Sequence, residues 1–548
     1  MSVERRLPRV AYFCMEYGLH EEFAIYSGGL GILAGDHLKS ARDQGMPLIG
    51  IGLLWRQGYT WQLIDDSGRP YDVFPTYAYD FLQDTGVKIT VDIRGKVTHC
   101  KVWMVDKYGN APLYLLDPNV PENEEREKWI NFKLYGGDAE ARVAQEMLLG
   151  IGGVRALRAL GVEVDIYHFN EGHAVFAGTE LLREKMVGGM GFEDAWREVR
   201  RQIVFTTHTP VPAGNESHQH DLLQHMGAYN GLGYEQMKRL GGDPFGMTVA
   251  GLRLARIANA VSELHGKTSR NMWGDVEGAA PIIHVTNGVH RGTWQNDGIR
   301  KAYEENGDLW TEHQRAKQEL IQEIGMRTSI WLNQDALLVG FARRAAPYKR
   351  SDLILDKPDI VEPLLVSGKL QIVFSGKAHP QDGKGKEIIS HLVAAARRYP
   401  HSVVYLENYD MRLGRLLTSG CDVWLNNPRR PQEASGTSGM KAAMNGVLNL
   451  SILDGWWPEG CQHGVNGWQF GDGYEGPEQD EHDLNALYHV LLSEVLPTYY
   501  GDRRRWVTMM KASIEMSVGK FSSERMLQDY YRLVYQKNDP AGEATGDN

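Results

Sequence analysis

Leu337-Leu-Val-Gly-Phe-Ala-Arg-Arg-Ala-Ala-Pro-Tyr-Lys-Arg350 carries an apolar, strand-like run straight into four cations within eight residues. Outward from it the same unit recurs: a short β-rich apolar run, a turn rich in Gly, Asn, His or Thr, then a helix-length amphipathic stretch. Downstream the runs are Leu370–Phe374, Val403–Leu406, Val423–Leu425 and Val447–Leu453; upstream they are Val10–Phe13, Val164–Phe169, Ile203–Thr206 and Ile282–Val285. Strands alternating with helices predict α/β architecture, with parallel sheets covered by helices on both faces. The stretch from Asn296 to about Gln334 lacks strand signals and is rich in Glu, Lys, Gln and Arg, which predicts a helical connection. Two doubly wound domains facing a central cleft are therefore expected, at residues 1–295 and 296–501. A helical pattern at 502–537 follows with no strand after it, and the polar tail 538–548 is expected to be disordered.

Composition narrows the function. Of 548 residues, 42% are hydrophobic and 24% charged, which excludes a wholly disordered or collagen-like chain. Lys plus Arg number 59 against 70 for Asp plus Glu, and a net charge of -11 argues against nucleic acid as the partner. Apolar stretches such as Leu48–Trp55 are too short to span a bilayer, so no membrane partner is expected. Cys14, Cys100, Cys421 and Cys461 lie far apart, so neither a zinc site nor a disulfide framework is expected. The opening Met-Ser-Val-Glu-Arg-Arg shows no apolar leader, and the expected location is cytoplasmic.

The polar motifs gather after apolar runs, where ligands of parallel sheets bind. Tyr26-Ser-Gly-Gly-Leu-Gly31 precedes a helical run and reads either as a tight turn or as an anion cradle, since adjacent glycines admit an anion close to backbone N–H groups. It is not G-x-G-x-x-G and has no Walker lysine. The cations Arg343, Arg344, Lys349 and Arg350 read either as a solvated charge run or as a phosphate site, which their place at a strand end favours. Glu433-Ala-Ser-Gly-Thr-Ser-Gly-Met-Lys-Ala-Ala-Met-Asn-Gly446 leads hydroxyl-bearing small residues into a helix, with Lys441 among small and apolar neighbours. That lysine is either a snorkelling surface residue or a desolvated amine, and a desolvated amine suits the aldehyde of pyridoxal phosphate. Asn170-Glu-Gly-His173, Thr206-Thr-His-Thr-Pro210 and Thr286-Asn-Gly-Val-His290 suggest a polyhydroxylated ligand. Trp456 and Trp457 are either core or a sugar platform. His218-Gln-His-Asp221 has metal-like spacing without further ligands nearby in sequence, and no metal centre is expected.

Together, Glu433–Gly446, Ser27–Gly31, Phe341–Arg350, the run from His208 to Gly214 and Val404–Asp410 resemble the α-glucan (glycogen/maltodextrin) phosphorylases, most closely the short bacterial and archaeal form. The resemblance covers about Val10 to Gly471 in collinear order. It implies a GT-B fold of two Rossmann-like domains, with the last helix (502–537) packing back on the first, and pyridoxal 5'-phosphate held on Lys441. The implied reaction is phosphorolysis of the non-reducing-end glucose of an α-1,4-glucan (glycogen, starch or maltodextrin) to glucose 1-phosphate with retention, the cofactor phosphate relaying a proton to inorganic phosphate.

By the same resemblance, Arg343, Thr437 and Gly436 hold the cofactor phosphate, with Tyr409 beside the cofactor. Arg344, Lys349 and Gly29 hold the substrate phosphate, within the loop of Gly28, Gly29 and Gly31. Glu433, Ser435, His208 and Asn287 bind the transferred glucose. A homodimer is also implied. Long-form members have a histidine at Ala346 and an arginine at Asp410, which loosens the analogy to the animal enzymes. The alternative is a transferase of the same fold with a nucleotide-sugar donor, against which Lys441 argues.

Overall fold

The computed structural model describes residues 6–210 and 215–536. The first sheet contains β1 (Val10–Phe13), β2 (Leu48–Leu53), β5 (Gln83–Ile93), β6 (Lys96–Val105), β7 (Leu113–Asp117), β8 (Ile166–Asn170), β9 (Ile203–Thr206), β12 (Ile257–Ala260) and β13 (Ile282–His284). Between these lie two small ladders, the hairpin β3 (Trp61–Ile64) with β4 (Pro70–Val73), and β10 (Ser217–His218) with β11 (Phe245–Gly246). The large sheet runs β13-β12-β9-β8-β1-β2-β7-β6-β5. Its order reverses at β1, where β2 and β8 pair in parallel on either side. Such a reversal opens a crevice at the strand carboxyl ends.

The all-parallel expectation fails at one edge. β5 and β6 are antiparallel to each other, and β6 is antiparallel to β7. A two-residue turn, Arg94-Gly95, with both φ positive at 54° and 71°, makes the hairpin. Exposure alternates along much of β5, so only one face of this edge is buried, and the pattern gives no continuous apolar run.

The second sheet is parallel throughout. It contains β14 (Leu337–Ala342), β15 (Leu370–Ser375), β16 (Val403–Leu406), β17 (Val423–Asn426), β18 (Leu448–Ile452) and β19 (Gly467–Phe470), in the order β16-β15-β14-β17-β18-β19. Every residue of β14 and β15 is buried, as strands covered on both faces require. The switch point falls between β14 and β17, so the loop carrying Arg343 and Arg344 opens at the crevice. Helices Asp297–Glu304 and Leu309–Thr328 connect the two sheets.

The C-terminal helical segment divides near Phe521 and so departs from the single return helix expected. Helix Arg503–Lys520 packs on the second core through Trp506, Met509, Met510 and Ile514. Only the helical segment after it, Ser523–Asp529 continuing through Tyr530–Tyr535, returns to the first core, with Met526, Leu527, Tyr530, Tyr531, Val534 and Tyr535 buried there. The tail expected at 538–548 lies outside the described residues, as do residues 211–214 of the histidine-proline motif. No described helix is long and apolar enough to cross a membrane.

Candidate active site

The strand ends of both sheets converge on a cavity of about 740 Å³. From the first sheet come Glu16 and the glycine loop after β1, Glu171 and His173 after β8, and His208 after β9. From the second come Arg343, Arg344, Tyr348 and Lys349 after β14, Lys377 and His379 after β15, and Asn408 and Tyr409 after β16. The stretch Glu433–Ser438, with Lys441 on the helix that follows, closes one wall. All residues assigned from the resemblance line this cavity except Gly31.

Gly31 has a different task. A Cβ there would lie 2.6 Å from a Glu16 carboxylate oxygen and 2.8 Å from Tyr26 Cβ. Glu16 accepts from the backbone N–H groups of Ser27 (2.5 Å) and Gly28 (3.2 Å) and from the Tyr135 hydroxyl (2.7 Å). The Gly28 donor of the expected cradle is therefore already engaged. A Cβ on Gly28 or Gly29 would meet nothing within 4 Å, so both backbones face open space. Helix Gly29–Asp43 starts at this point, and its first-turn N–H groups have no partner inside the helix. The part of the loop left open toward the cavity is thus Gly29 and the turn after it.

Opposite, Glu433 stands between two cations. It contacts Lys349 closely and lies 3.0 Å from the Arg343 guanidinium. Burial opposes the charged carboxylate, yet Arg343 and Lys349 together hold its pKa below the ordinary range. The Arg343 Nη1 contact is an ion pair without hydrogen-bond geometry, so that buried donor remains unsatisfied among the described residues. A Cβ on Gly436, whose φ is +83°, would meet Arg343 Nη2 at 2.8 Å; glycine lets the guanidinium approach this turn. Arg344 stays exposed within the cavity, with Tyr348 and Tyr59 beside it.

Lys441 lies on the seven-residue helix Ser438–Met444, its Nζ 3.4 Å from the Trp294 ring centre. Burial pushes its ammonium down to about 8. The snorkelling alternative is excluded, since Lys441 is only 5% exposed. Among the described residues, Ser435 Oγ and Asn287 Oδ1 are buried without a hydrogen-bond partner. An unsatisfied guanidinium, orphaned sugar-type donors and acceptors, and a desolvated amine fit the donor set that pyridoxal phosphate and a hexose require.

Other sequence candidates lie elsewhere. Arg350 is buried away from the cavity, bonded to Asp480 (2.9 Å) and Asp483 (2.8 Å) and to the Asn427 and Pro428 carbonyls. His290 bonds Asp43 and Thr293, each at 2.8 Å. Trp456 and Trp457 are buried and pack edge-on to each other, so they are core. Asp410 does line the cavity, where its carboxylate caps helix Met411–Gly420 by accepting from Leu413 N–H at 2.8 Å. His218 does meet carboxylates, Glu146 and Glu216, but Arg142 forks onto Glu216 and sits 3.3 Å from Glu146. A guanidinium already supplies the positive charge of that cluster.

His208 is pushed down to about 3 by burial, and therefore neutral; its Nε2 lies 2.6 Å from Asn170 Oδ1. The sequence reading missed Glu16, Tyr59, Trp61, Tyr77, Lys377 and Trp294. For Glu16 and Lys377 the signal was available, because each closely follows a buried strand.

Two sheets whose carboxyl ends meet at a cation-rich cavity lined with sugar-type donors define a GT-B-like α/β enzyme of the glycosyltransferase type. The sequence model of the family described as carbohydrate phosphorylase matches residues 301–459. Maltodextrin phosphorylase of Thermococcus litoralis is 39% identical, over 96% of this chain and 70% of its own length. Glycogen phosphorylase of Aquifex aeolicus is 36% identical, over 96% and 86%. An uncharacterised protein of Methanocaldococcus jannaschii is 34% identical, over 96% and 99%. The chain belongs to the carbohydrate phosphorylase family.

Proposed function

We propose that this cavity phosphorolyses α-1,4-glucans from the non-reducing end, releasing glucose 1-phosphate. The observation carrying this reading is the desolvated Lys441 amine in one cavity with Arg343, Arg344 and Lys349. A nucleotide-sugar transferase needs no such amine, and relatives named phosphorylases at 36–39% identity favour the phosphorylase.

Lys441 would hold pyridoxal phosphate, with Arg343, Gly436 and Thr437 around its phosphate and Tyr409 alongside. Bound there, the cofactor supplies a phosphate that exchanges a proton with the substrate phosphate. The chain's own task is to let two anions approach. Like unit charges about 4 Å apart repel by about 4 kcal/mol at an effective dielectric of about 20. Arg343, Arg344, Lys349 and the Gly29 backbone offset that repulsion. Inorganic phosphate donates its proton to the glycosidic oxygen, the bond from that oxygen to C1 breaks, and a phosphate oxygen bonds C1 from the same face. Glu433, Ser435, Asn287 and neutral His208 would orient the glucose hydroxyls, and fixed cations beside an oxocarbenium-like centre keep the attacking anion in place. The same reading takes the protein as a cytoplasmic homodimer.

Borohydride reduction followed by peptide mapping tests it: a phosphopyridoxyl group is expected on Lys441. Lys441→Ala is expected to lose cofactor and turnover together. Arg344→Ala is expected to keep the cofactor and lose phosphate-dependent turnover. Unlabelled Lys441 in folded protein, after incubation with pyridoxal phosphate, would overturn the proposal in favour of the nucleotide-sugar transferase.

A further inference from the structure

The β3–β4 hairpin has two unlike faces. Its register pairs Trp61 with Val73, Gln62 with Asp72 and Leu63 with Tyr71. Directly opposed residues share a face, so Gln62 and Asp72 point one way and Trp61, Leu63, Tyr71 and Val73 the other. The polar face is held by the second half of the chain. Gln62 exchanges hydrogen bonds with Ala378, donating at 3.1 Å and accepting at 2.8 Å, and Lys386 pairs with Asp72 at 2.5 Å. Ile64 N–H donates to Glu407 at 2.7 Å, and Lys377 Nζ to the Thr60 carbonyl at 2.9 Å. A hairpin from the first half is thereby fixed across the cleft.

The other face is apolar and open: Trp61 is 43% exposed, Tyr71 45% and Val73 37%. Trp61 also lines the cavity, with Tyr59, Tyr77 and His379. Tyr77 lines the same mouth and stacks on Tyr79 at 5.9 Å and 7°. The aromatic face is therefore continuous with the cavity mouth and stiffly supported.

We propose that this face, led by Trp61, is the track on which the glucan lies beyond its reacting glucose. The inference rests on the phosphorylase reading. A cavity of about 740 Å³ is of the size that takes a drug-sized ligand, so only the end of a polymer fits and the rest must leave through the mouth. Sugar rings present C–H faces that stack on indole and phenol rings, and a fixed aromatic loses little entropy on binding. Trp61 sets the preference for longer chains; it is a specificity residue and takes no part in bond breaking.

The test compares wild type, Trp61→Ala, Trp61→Phe and Tyr71→Ser on maltodextrins of increasing length. In W61A, kcat/KM for maltoheptaose is expected to fall about two- to tenfold through KM, with the shortest substrate and the KM for phosphate unchanged. W61F should retain most of the effect, and Y71S should lose part of it with the longest chains only. An unchanged length profile in W61A, or an equal loss at every length, overturns the track. So does a change in sedimentation mass of W61A or Y71S, which would assign the face to a second copy of the chain. Calorimetry with maltoheptaose in phosphate-free buffer separates this claim from the function proposal. Weaker binding in W61A supports the track even where wild type yields no glucose 1-phosphate, a result that overturns the phosphorylase reading alone.

Discussion

Lys441 illustrates how a single side chain acquires its chemistry from its surroundings. The Trp294 face at 3.4 Å favours an ammonium, yet burial on a helix of small and apolar residues outweighs it and brings the pKa down to about 8. The sign follows directly. A lysine with an ordinary value near 10.4 is almost wholly charged at neutral pH, whereas one at about 8 is about one-tenth neutral at pH 7. Only the neutral amine attacks an aldehyde. In cofactor-free protein, the rate of borohydride-trapped incorporation of pyridoxal phosphate should rise about tenfold per pH unit below pH 7, bend near pH 8 and level by pH 9. A rate still climbing between pH 9 and 10 would show an unperturbed lysine.

At the scale of the element, the glycine loop separates two tasks that look identical in sequence. Gly29→Ala places a methyl group in open space, so stability should hold while the KM for phosphate rises. Gly31→Ala drives a methyl group into Glu16 and Tyr26, and overpacking of this kind costs about 1–3 kcal/mol. Thermal unfolding together with phosphate kinetics distinguishes them; equal effects of the two substitutions would refute the division. The apolar runs and the turns after them were legible because buried parallel strands leave continuous signatures and their carboxyl ends are where ligands bind. The direction of each side chain was not. Arg350 and Arg343 belong to one cationic run, but the left-handed φ of +51° at Arg350 accompanies a course toward Asp480 and Asp483. The β5–β6 hairpin escaped notice because its turn is Arg-Gly and its strand alternates. The β3–β4 hairpin escaped because its partners, Ala378, Lys386 and Glu407, lie more than three hundred residues away.

Across the whole molecule, the end of the chain ties the halves together through one buried hydrogen-bond circuit. Thr206 donates to Asn259 Oδ1 at 2.8 Å, so the 2.7 Å contact between Thr206 and His168 Nε2 must be donated by the ring. His168 Nδ1 is then an acceptor, and the Tyr535 hydroxyl donates to it at 2.7 Å. Asn259 Nδ2 completes the circuit by donating to the Tyr530 hydroxyl at 2.9 Å. Burial keeps His168 neutral, with its pKa well below the ordinary value, which this arrangement of donors requires. Tyr535→Phe leaves the Nδ1 acceptor buried and unpaired, at a cost of about 1–3 kcal/mol, and should lower the unfolding midpoint. Tyr531 supplies the control: it packs in the same core, but its hydroxyl is buried without a partner among the described residues. Tyr531→Phe should therefore be neutral or stabilising. If both substitutions shifted the midpoint equally, the returning segment would be held by its apolar packing alone, and the circuit would contribute nothing to joining the two sheets.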